Sequence, residues 1–479
     1  MAVSGGHASA AELLLAAGAD PDAAAPGGLR PLHVAAAART PQAVSQLLKS
    51  GAAPDAAEEG KGLTPLMLAA LRGDGGTIGA LLDGLADAEV RSSDGSTALL
   101  LAVGGGWSSG GGGDEGVALE RAVALLDGGA DVDASDGRGA TALHVAAARG
   151  RVALLRELLA RGADGTRQNQ RGEDALAVAA RADDAAAVRA LLDDPTVEAD
   201  SRNAVDGSTA LMAAAAADAV HTARVLVEEG GADVDATDTR LGMSALAVAA
   251  RAGAVGAVEF LLGAGADTEA VVPVMVTSDS EDPSLTVSEQ LQAAMSEQER
   301  ELASSTRGGS KEFVTMLLMT PVAAAAAAGA HDTLELLLAA GAEVDSIVDG
   351  GTSPLMAAAG LGALDVVQAL LAAGAEVDLA SVPEGYTALA LAATNGHADG
   401  VKLLCESGAR TDIAAANGNT PLMAAIAQGH AAAADVLIAH GASTAVVDGV
   451  GNSLAYLAAK AGLLDLAKRL AREYSARDL

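Results

Sequence analysis

A short phrase returns along this chain at a nearly fixed interval, and that interval constrains the fold more than any other feature. In its most regular copies the phrase reads Gly-x-Thr-Pro/Ala-Leu. It opens at Gly28, Gly62, Gly95, Gly139, Gly172, Gly207, Gly242, Gly351, Gly385, Gly418 and Gly451, and "MTPVAA" at Met319 keeps the slot without its glycine. Successive openings lie 33 to 35 residues apart, except for one step of 44 after Gly95 and one of 76 from Gly242 to the slot at Leu318. A second phrase, Leu-Leu-x-x-Gly-Ala-Asp/Glu, usually follows by 23 or 24 residues, as at Gly162-Ala163-Asp164 and Gly374-Ala375-Glu376. A period of this length marks a chain of stacked supersecondary units, none of which buries its apolar face alone.

Each phrase has a local reading. A threonine followed by proline is an N-cap followed by a residue preset for the first helical turn. The short helix that follows is alanine-rich, as in "PLMAAIA", so neighbouring backbones can approach closely. A second helix carries leucines at helical spacing, as in "VVQALLAAGAE", and ends in a glycine suited to a left-handed C-cap. An Asp/Gly turn leads into the next opening. One unit is therefore turn, helix, turn, helix. Aromatic residues make up 1% of the chain, too few for a large globular core but enough for thin layers of alanine and leucine.

Together, "G-x-T-P-L-H", "A-A-x-x-G-H" and "V-x-x-L-L-x-x-G-A-D-V" at this period make the chain resemble an ankyrin-repeat protein. The resemblance covers nearly the whole chain outside two insertions, as about 12 full or near-full repeats plus a partial one at the N-terminus. It implies an all-α ankyrin-repeat solenoid of helix-turn-helix units joined by β-turn or hairpin loops. The repeats are expected over residues 1–273 and 319–479, with a polar C-terminal cap bearing Lys468, Arg469, Arg472 and Glu473. The first unit, "GGHASAAELLLAAGADPDA", matches only the second half of a repeat. Either that repeat is degenerate or the protein extends upstream.

The two long spacings are departures that could split the stack. The first places "VGGGWSSGGGGDEG" between the two helices of one unit, delaying the next mark by 11 residues. This Gly/Ser-rich loop, near 104–116, holds Trp107, the only tryptophan. It lacks the Gly-Lys-Ser/Thr ending of a phosphate loop. Trp107 reads either as a partner contact or as a cover over an apolar groove. The second spans 274–318, is acidic and polar, and exceeds one period by 43 residues. It reads as a loop with one helix patterned on Leu285, Val287, Leu291, Met295 and Leu302, as a docking or phosphorylatable element, or as a decayed repeat.

The net charge of −33 argues against general nucleic-acid binding and against docking on anionic membranes. Some of that charge recurs with the repeat, in Val132-Asp133, Val234-Asp235, Val344-Asp345 and Val377-Asp378, where the family commonly has asparagine. Three readings stand: these aspartates accept backbone N–H bonds, they form an acidic ridge that attracts a basic partner, or they serve solubility. The single cysteine, Cys405, occupies a slot the repeats usually give to leucine. It allows no internal disulfide and fits a reducing compartment, the cytoplasm or the nucleus. "FVTMLLMTPVAAAAAAGA" has membrane-spanning length, but its alanines are weakly apolar and Pro321 falls where a repeat helix begins.

Histidines are explained by position. His33 and His144 occupy the "T-P-L-H" slot, which the family uses for a hydrogen-bonded junction, and His397 and His430 follow glycine between the helices. Met67, Met212, Met356 and Met423 take the same slot as His33 and read as junction fillers. No metal, nucleophile or cofactor constellation is present, so the expectation is no catalytic residues, no cofactor and no metal.

What remains is binding. In the family the turn tips and the exposed side of the first helices form a concave surface, and residues varying from repeat to repeat there set the partner. By matching position the tips include Asp136 and Arg138, Asp206 and Ser208, Asp238 and Arg240, Asp349 and Thr352, Glu384 and Tyr386, and Asn417 and Asn419. Tyr386 is the expected anchor, as an exposed tyrosine among small polar residues. The expected function is a monomeric, non-enzymatic scaffold or adaptor binding a protein partner, of basic character if the acidic ridge is used. The alternative is the recognition arm of a larger enzyme or channel whose other part lies upstream.

Overall fold

The computed structural model describes residues 8–104, 115–270, 274–276, 315–317, 319–347, 351–382 and 384–477. Trp107, Asp349 and the helical pattern expected near 285–302 lie outside these residues. Among the described residues there are 25 α-helices. The chain divides into two compact units: residues 1–214 with 221–232, and residues 215–220 with 233–479.

In the first unit the helices are α1 Ala8–Ala16, α2 Pro31–Ala37, α3 Pro41–Lys49, α4 Pro65–Arg72, α5 Gly75–Asp83, α6 Ala98–Gly104, α7 Glu115–Asp127, α8 Ala142–Ala147, α9 Val152–Ala160, α10 Ala175–Arg181 and α11 Ala185–Leu192. The first helix of each repeat packs on the first helix of the next, in the series α2, α4, α6, α8, α10. The second helices make a parallel layer, α1, α3, α5, α7, α9, α11. Helix α12 (Ala210–Ala216) spans the boundary between the units, and α13 (Val220–Glu228) follows it.

The second unit repeats the plan with α14 Ala245–Ala252, α15 Val255–Gly263, α16 Pro321–Ala328, α17 His331–Ala339, α18 Pro354–Leu361, α19 Leu364–Ala372, α20 Ala388–Asn395, α21 Ala398–Glu406, α22 Pro421–Ala427, α23 Ala431–Ala439, α24 Leu454–Lys460 and α25 Leu464–Arg477. Its inner layer runs α14, α16, α18, α20, α22, α24, and its outer layer α15, α17, α19, α21, α23.

The local chemistry is the one the repeat phrase implies. The Thr64 hydroxyl accepts the Met67 N–H at 3.3 Å, and Pro65 opens α4. Asp174 and Ser244 do the same for Ala177 and Ala247, so any short oxygen-bearing side chain serves as the cap. Alanine pairs such as Ala69/Ala70, Ala146/Ala147 and Ala392/Ala393 are fully buried between successive inner helices. Leu81, Leu158, Leu370 and Leu437 fill the layer below. Each buried leucine contributes roughly 1.5–3 kcal/mol.

The long spacings do not split the stack. Helix α6 packs directly on α8 across the first insertion, and α14 on α16 across the second. At the edges of the second insertion, β1 (Val274–Val276) pairs antiparallel with β2 (Thr315–Leu317), Val274 facing Leu317. This ribbon brings the two edges of the insertion side by side, so the repeat continues where it left off. It is a small β addition that the helical period does not announce.

Candidate protein-binding face

The turn tips are built by carboxylate and amide side chains folding back on their own backbone. Asp136 accepts the N–H groups of Arg138 at 2.8 Å and Ala140 at 2.9 Å. Asp206 takes the Ser208 N–H at 3.0 Å and its hydroxyl at 2.6 Å. Asp238 takes the Arg240 N–H at 2.9 Å, and Asn417 that of Asn419, also at 2.9 Å. Such side-chain turns hold a tip in one shape.

Adjacent tips are then tied to one another through the backbone. Glu59 N–H donates to Gly27 O, Ser93 to Lys61, Gly137 to Asp94, Gln170 to Arg138 and, in the second unit, Ala416 to Glu384. Isolated antiparallel bridges such as Ser135–Thr141 and Ala380–Thr387 close the base of individual hairpins. The tips of the first unit are therefore a hydrogen-bonded ledge rather than a row of separate loops, and in the second unit one such bond joins two neighbouring tips.

Behind the tips runs a second line of ties. Asp133 accepts the Asp164 N–H at 3.0 Å, Asp235 that of Asp267 at 2.8 Å, and Asp378 that of Arg410 at 2.9 Å. Asp345 bonds Glu376 N–H with both oxygens, at 3.2 and 3.0 Å. Asp22, Asp55 and Asp412 make the same bond one repeat ahead. Of the three readings of the Val-Asp aspartates, the backbone-accepting one is the geometry found. The two ties that span an insertion use the longer glutamate: Glu89 reaches Asp131 N–H at 2.8 Å, and Glu269 reaches Glu343 N–H at 2.9 Å. Both stand two residues after an aspartate, in "ADAE" and "ADTE". That pattern could have revealed them. Substituting Asp378 by alanine is expected to cost about 1 kcal/mol, and by asparagine under about 0.5 kcal/mol, since the amide oxygen still accepts. Urea melts of the two variants measure this, and equal losses would mean that the charge rather than the hydrogen bond matters.

The histidine slots are junctions. The His144 ring is 3% exposed; its Nε2 donates to Glu173 O at 2.9 Å, and its Nδ1 accepts from the Thr141 N–H at 3.2 Å and hydroxyl at 2.9 Å. His33 pairs with Arg30 N–H and Leu63 O in the same way. Burial pulls the pKa of both rings below the ordinary value. A depressed histidine pKa means that protons bind more readily to the unfolded chain. Stability is then full above about pH 6.5 and falls as pH drops through that value toward the folded pKa. Methionine fills the slot elsewhere: the Met67 and Met212 sulfurs accept the Thr64 and Thr209 N–H groups at 3.5 Å. His144→Met is therefore expected to reduce the loss of stability of the first unit between pH 7.5 and 5. Thermal melts across that range test it, and an unchanged slope would assign the acid sensitivity to other groups.

A third device is a set of side-chain bonds that the repeat phrase does not announce. The backbone carbonyls that end four of the inner helices, α4, α6, α14 and α18, are taken by side chains from other repeats. Arg121 of α7 donates to Gly73 O at 3.1 Å, Leu71 O at 3.0 Å and Ala70 O at 3.4 Å. Arg151 donates to Val103 O at 2.7 Å, His397 Nε2 lies 3.0 Å from Gly360 O, and Thr333 donates to Ala250 O at 3.1 Å. His397 and Arg151 stand in the recurring slot after glycine, but the residue type that does the job changes from repeat to repeat.

The expected contact residues fall as follows. Arg138 and Arg240 are exposed, and Asp136 and Asp206 are partly covered and engaged in their own turns. Glu384, Tyr386 and Asn419 come together on two adjacent tips of the second unit. Tyr386 is half-buried rather than freely exposed, and its hydroxyl accepts from the Asn417 amide at 3.4 Å. Beside it, Val382 is 56% exposed, and Val450 on a later tip is 88% exposed. These tip valines were not singled out from sequence, where a lone valine in a turn carries no pattern. Cys405 is half-buried, and burial raises its thiol pKa, which suits packing rather than reactivity.

Stacked helix pairs, tip hairpins set into a ledge and a side-chain ladder behind them define a helical repeat module. Family profiles agree with this. Ankyrin repeats match residues 1–92, 115–203, 187–271, 301–381 and 322–415, and a single ankyrin repeat matches 417–449. The chain belongs to the ankyrin-repeat family. A comparison with curated proteins finds no significant match. Among the described residues no helix is long and apolar enough to cross a membrane.

Proposed function

We propose that the chain is a non-enzymatic scaffold or adaptor that holds a partner protein on the face formed by its turn tips and inner helices. The observation that carries this reading is the ledge. Neighbouring tips are joined by backbone hydrogen bonds within a unit, while the side chains displayed differ from tip to tip: Arg138 in the first unit, and Glu384, Tyr386 and Val382 in the second. A surface ordered before binding loses little conformational entropy when a partner docks. Ankyrin repeats in general mediate protein–protein contact.

For the second unit we propose a basic partner. Residues 319–479 carry 17 Asp and Glu against 7 Lys and Arg, a difference of −10. Tyr386 and Val382 then supply apolar contact within an acidic surround. The test is an affinity capture from native lysate at low and high salt, with wild type beside Tyr386→Ala and Val382→Asp. A partner released by salt and lost with either substitution supports the reading. Partners indifferent to both would remove the tips of the second unit from the binding face.

A further inference from the structure

Two asparagines of the chain, Asn395 and Asn417, stand directly before a glycine, and the fold treats them differently. In such a pair the glycine nitrogen can attack the asparagine side-chain carbonyl, because glycine has no Cβ to shield that nitrogen and leaves the backbone free to turn. The attack needs a backbone that can swing the nitrogen onto the carbonyl carbon. It also needs a donor on the carbonyl oxygen as negative charge develops there. Asn395 is the last residue of α20, and its amide donates to Gly360 O of the preceding repeat at 2.7 Å. The Gly396 N–H is held by the carbonyls of Ala392 and Ala393 at the helix end. The next repeat hems it in as well: a Cβ on Gly396 would lie 2.5 Å from His430 Nδ1. Side chain and nitrogen are both fixed, and bringing them together would open a junction between repeats.

Asn417 stands on an exposed tip, and a Cβ placed on Gly418 would meet nothing within 4 Å. The Asn417 side-chain oxygen accepts the Asn419 N–H at 2.9 Å, a donor already in place for an oxyanion. Its amide nitrogen, the leaving group, makes a long 3.4 Å contact with the Tyr386 hydroxyl. The bond that must open is that of the Gly418 N–H to Ala415 O, at 2.8 Å, which closes a turn rather than a helix. The turn also accepts a carboxylate. Asp94 and Asp206 occupy the same slot before the opening glycine, and take the N–H two residues on, from Ser96 at 3.2 Å and Ser208 at 3.0 Å.

We propose that Asn417 is a site of spontaneous deamidation that turns this tip acidic, and that the fold protects Asn395 from the same reaction. Hydroxide takes the Gly418 N–H proton, and the nitrogen attacks Asn417 Cγ. The new C–N bond closes a five-membered succinimide, the bond to the side-chain nitrogen breaks, and ammonia leaves with a proton from water. A second water opens the ring, at one carbonyl to give aspartate and at the other to give isoaspartate. The net change is amide and water to carboxylate and ammonium, with no oxidation or reduction. Aspartate keeps the bond to the Asn419 N–H, as Asp94 and Asp206 keep theirs, whereas isoaspartate adds a methylene to the backbone of the tip. Either product removes the amide donor from the Tyr386 hydroxyl and adds a negative charge on the tip next to that of Glu384. The chemistry does not depend on the tips being a binding face. Under that reading it makes the surround of Tyr386 more acidic as the protein ages.

The test is incubation of the full chain at neutral and mildly alkaline pH, followed by peptide mapping that resolves asparagine, aspartate and isoaspartate at both positions. In the folded chain Asn417 is expected to convert about tenfold or more faster than Asn395, and faster as pH rises. In urea, where the fold no longer separates them, the two rates should converge. Asn417→Asp stands in for the aspartate product and is expected to melt with the wild type. Equal rates in the folded chain would overturn the assignment, as would an Asn417 that stays intact while the unfolded chain converts. A clear loss of stability in Asn417→Asp would also count against it, since the tip would then not accept the carboxylate. The binding-face reading fails separately, through a lysate partner that ignores every tip substitution.

Discussion

Arg121→Ala is expected to lower the stability of the first unit by about 3 kcal/mol, the largest loss we anticipate from one side chain. The helix it serves, α4, ends without a left-handed glycine: Gly73 is extended, with φ −75° and ψ −158°. The last carbonyls of α4 therefore cannot close on the following turn. Arg121, 7% exposed, supplies donors to three of them instead. Burial pulls its pKa down, with the charge of Arg39 adding to that and Glu120 and Asp74 opposing it. It remains a cation, placed at the negative end of a helix dipole. Truncation would take this donor from two buried acceptors, Gly73 O and Ala70 O, and from the partly buried Leu71 O. For a unit of this size each kcal/mol moves the midpoint by roughly 2–4 °C, so a fall of roughly 6–12 °C is expected. Arg121→Lys should recover only part of it, because an ammonium cannot reproduce the guanidinium fork. Calorimetry on the full chain and hydrogen exchange at α4 read the effect. A shift under about 2 °C would mean that water replaces the guanidinium at little cost.

The second large effect is expected in the other unit, at Gly362. This residue ends α18 with φ +74°, a conformation that costs an L-residue about 1–2 kcal/mol. An added Cβ would also lie 2.5 Å from His397 Nδ1 and 2.8 Å from two further ring atoms. The ring cannot withdraw freely, since its Nε2 is bonded to Gly360 O at 3.0 Å. Gly362→Ala is therefore expected to cost about 3 kcal/mol, strain and collision together. Gly396 stands in the same relation to His430, with φ +79° and a 2.5 Å approach. The glycine-histidine pairing of the repeat phrase has its cause here: the glycine of one repeat leaves space for the histidine of the next. The cycle Gly362→Ala, His397→Ala and the double variant separates the two terms. The double variant should lose less than the sum of the singles. Simple additivity would show that the ring and the glycine do not compete for space.

These two sites divide what could and could not be read from sequence. The glycine-histidine pair repeats with the period and was legible as a position, although its steric cause was not. Arg121 repeats nowhere. Its partners are 48 to 51 residues away, and it stands in a helix beyond an insertion. The face itself follows the same division. Asp136, Glu384 and Tyr386 stand on turn tips, a position legible from the opening glycine of each repeat. That Tyr386 is half-covered by Asn417, and that Val382 stands out beside it, depends on how two tips lean on each other.

The sequence alone determined the repeat, the helix pairs, their caps and the order in which the layers stack. Those depend on interactions within a few residues or on an apolar pattern copied at one period. Only the tertiary structure decided that the stack runs through both long spacings and that the recurrent carboxylates are backbone acceptors. Those outcomes depend on side chains meeting from different repeats. A period specifies that neighbouring repeats touch, but the particular residues at each contact are where the repeats differ.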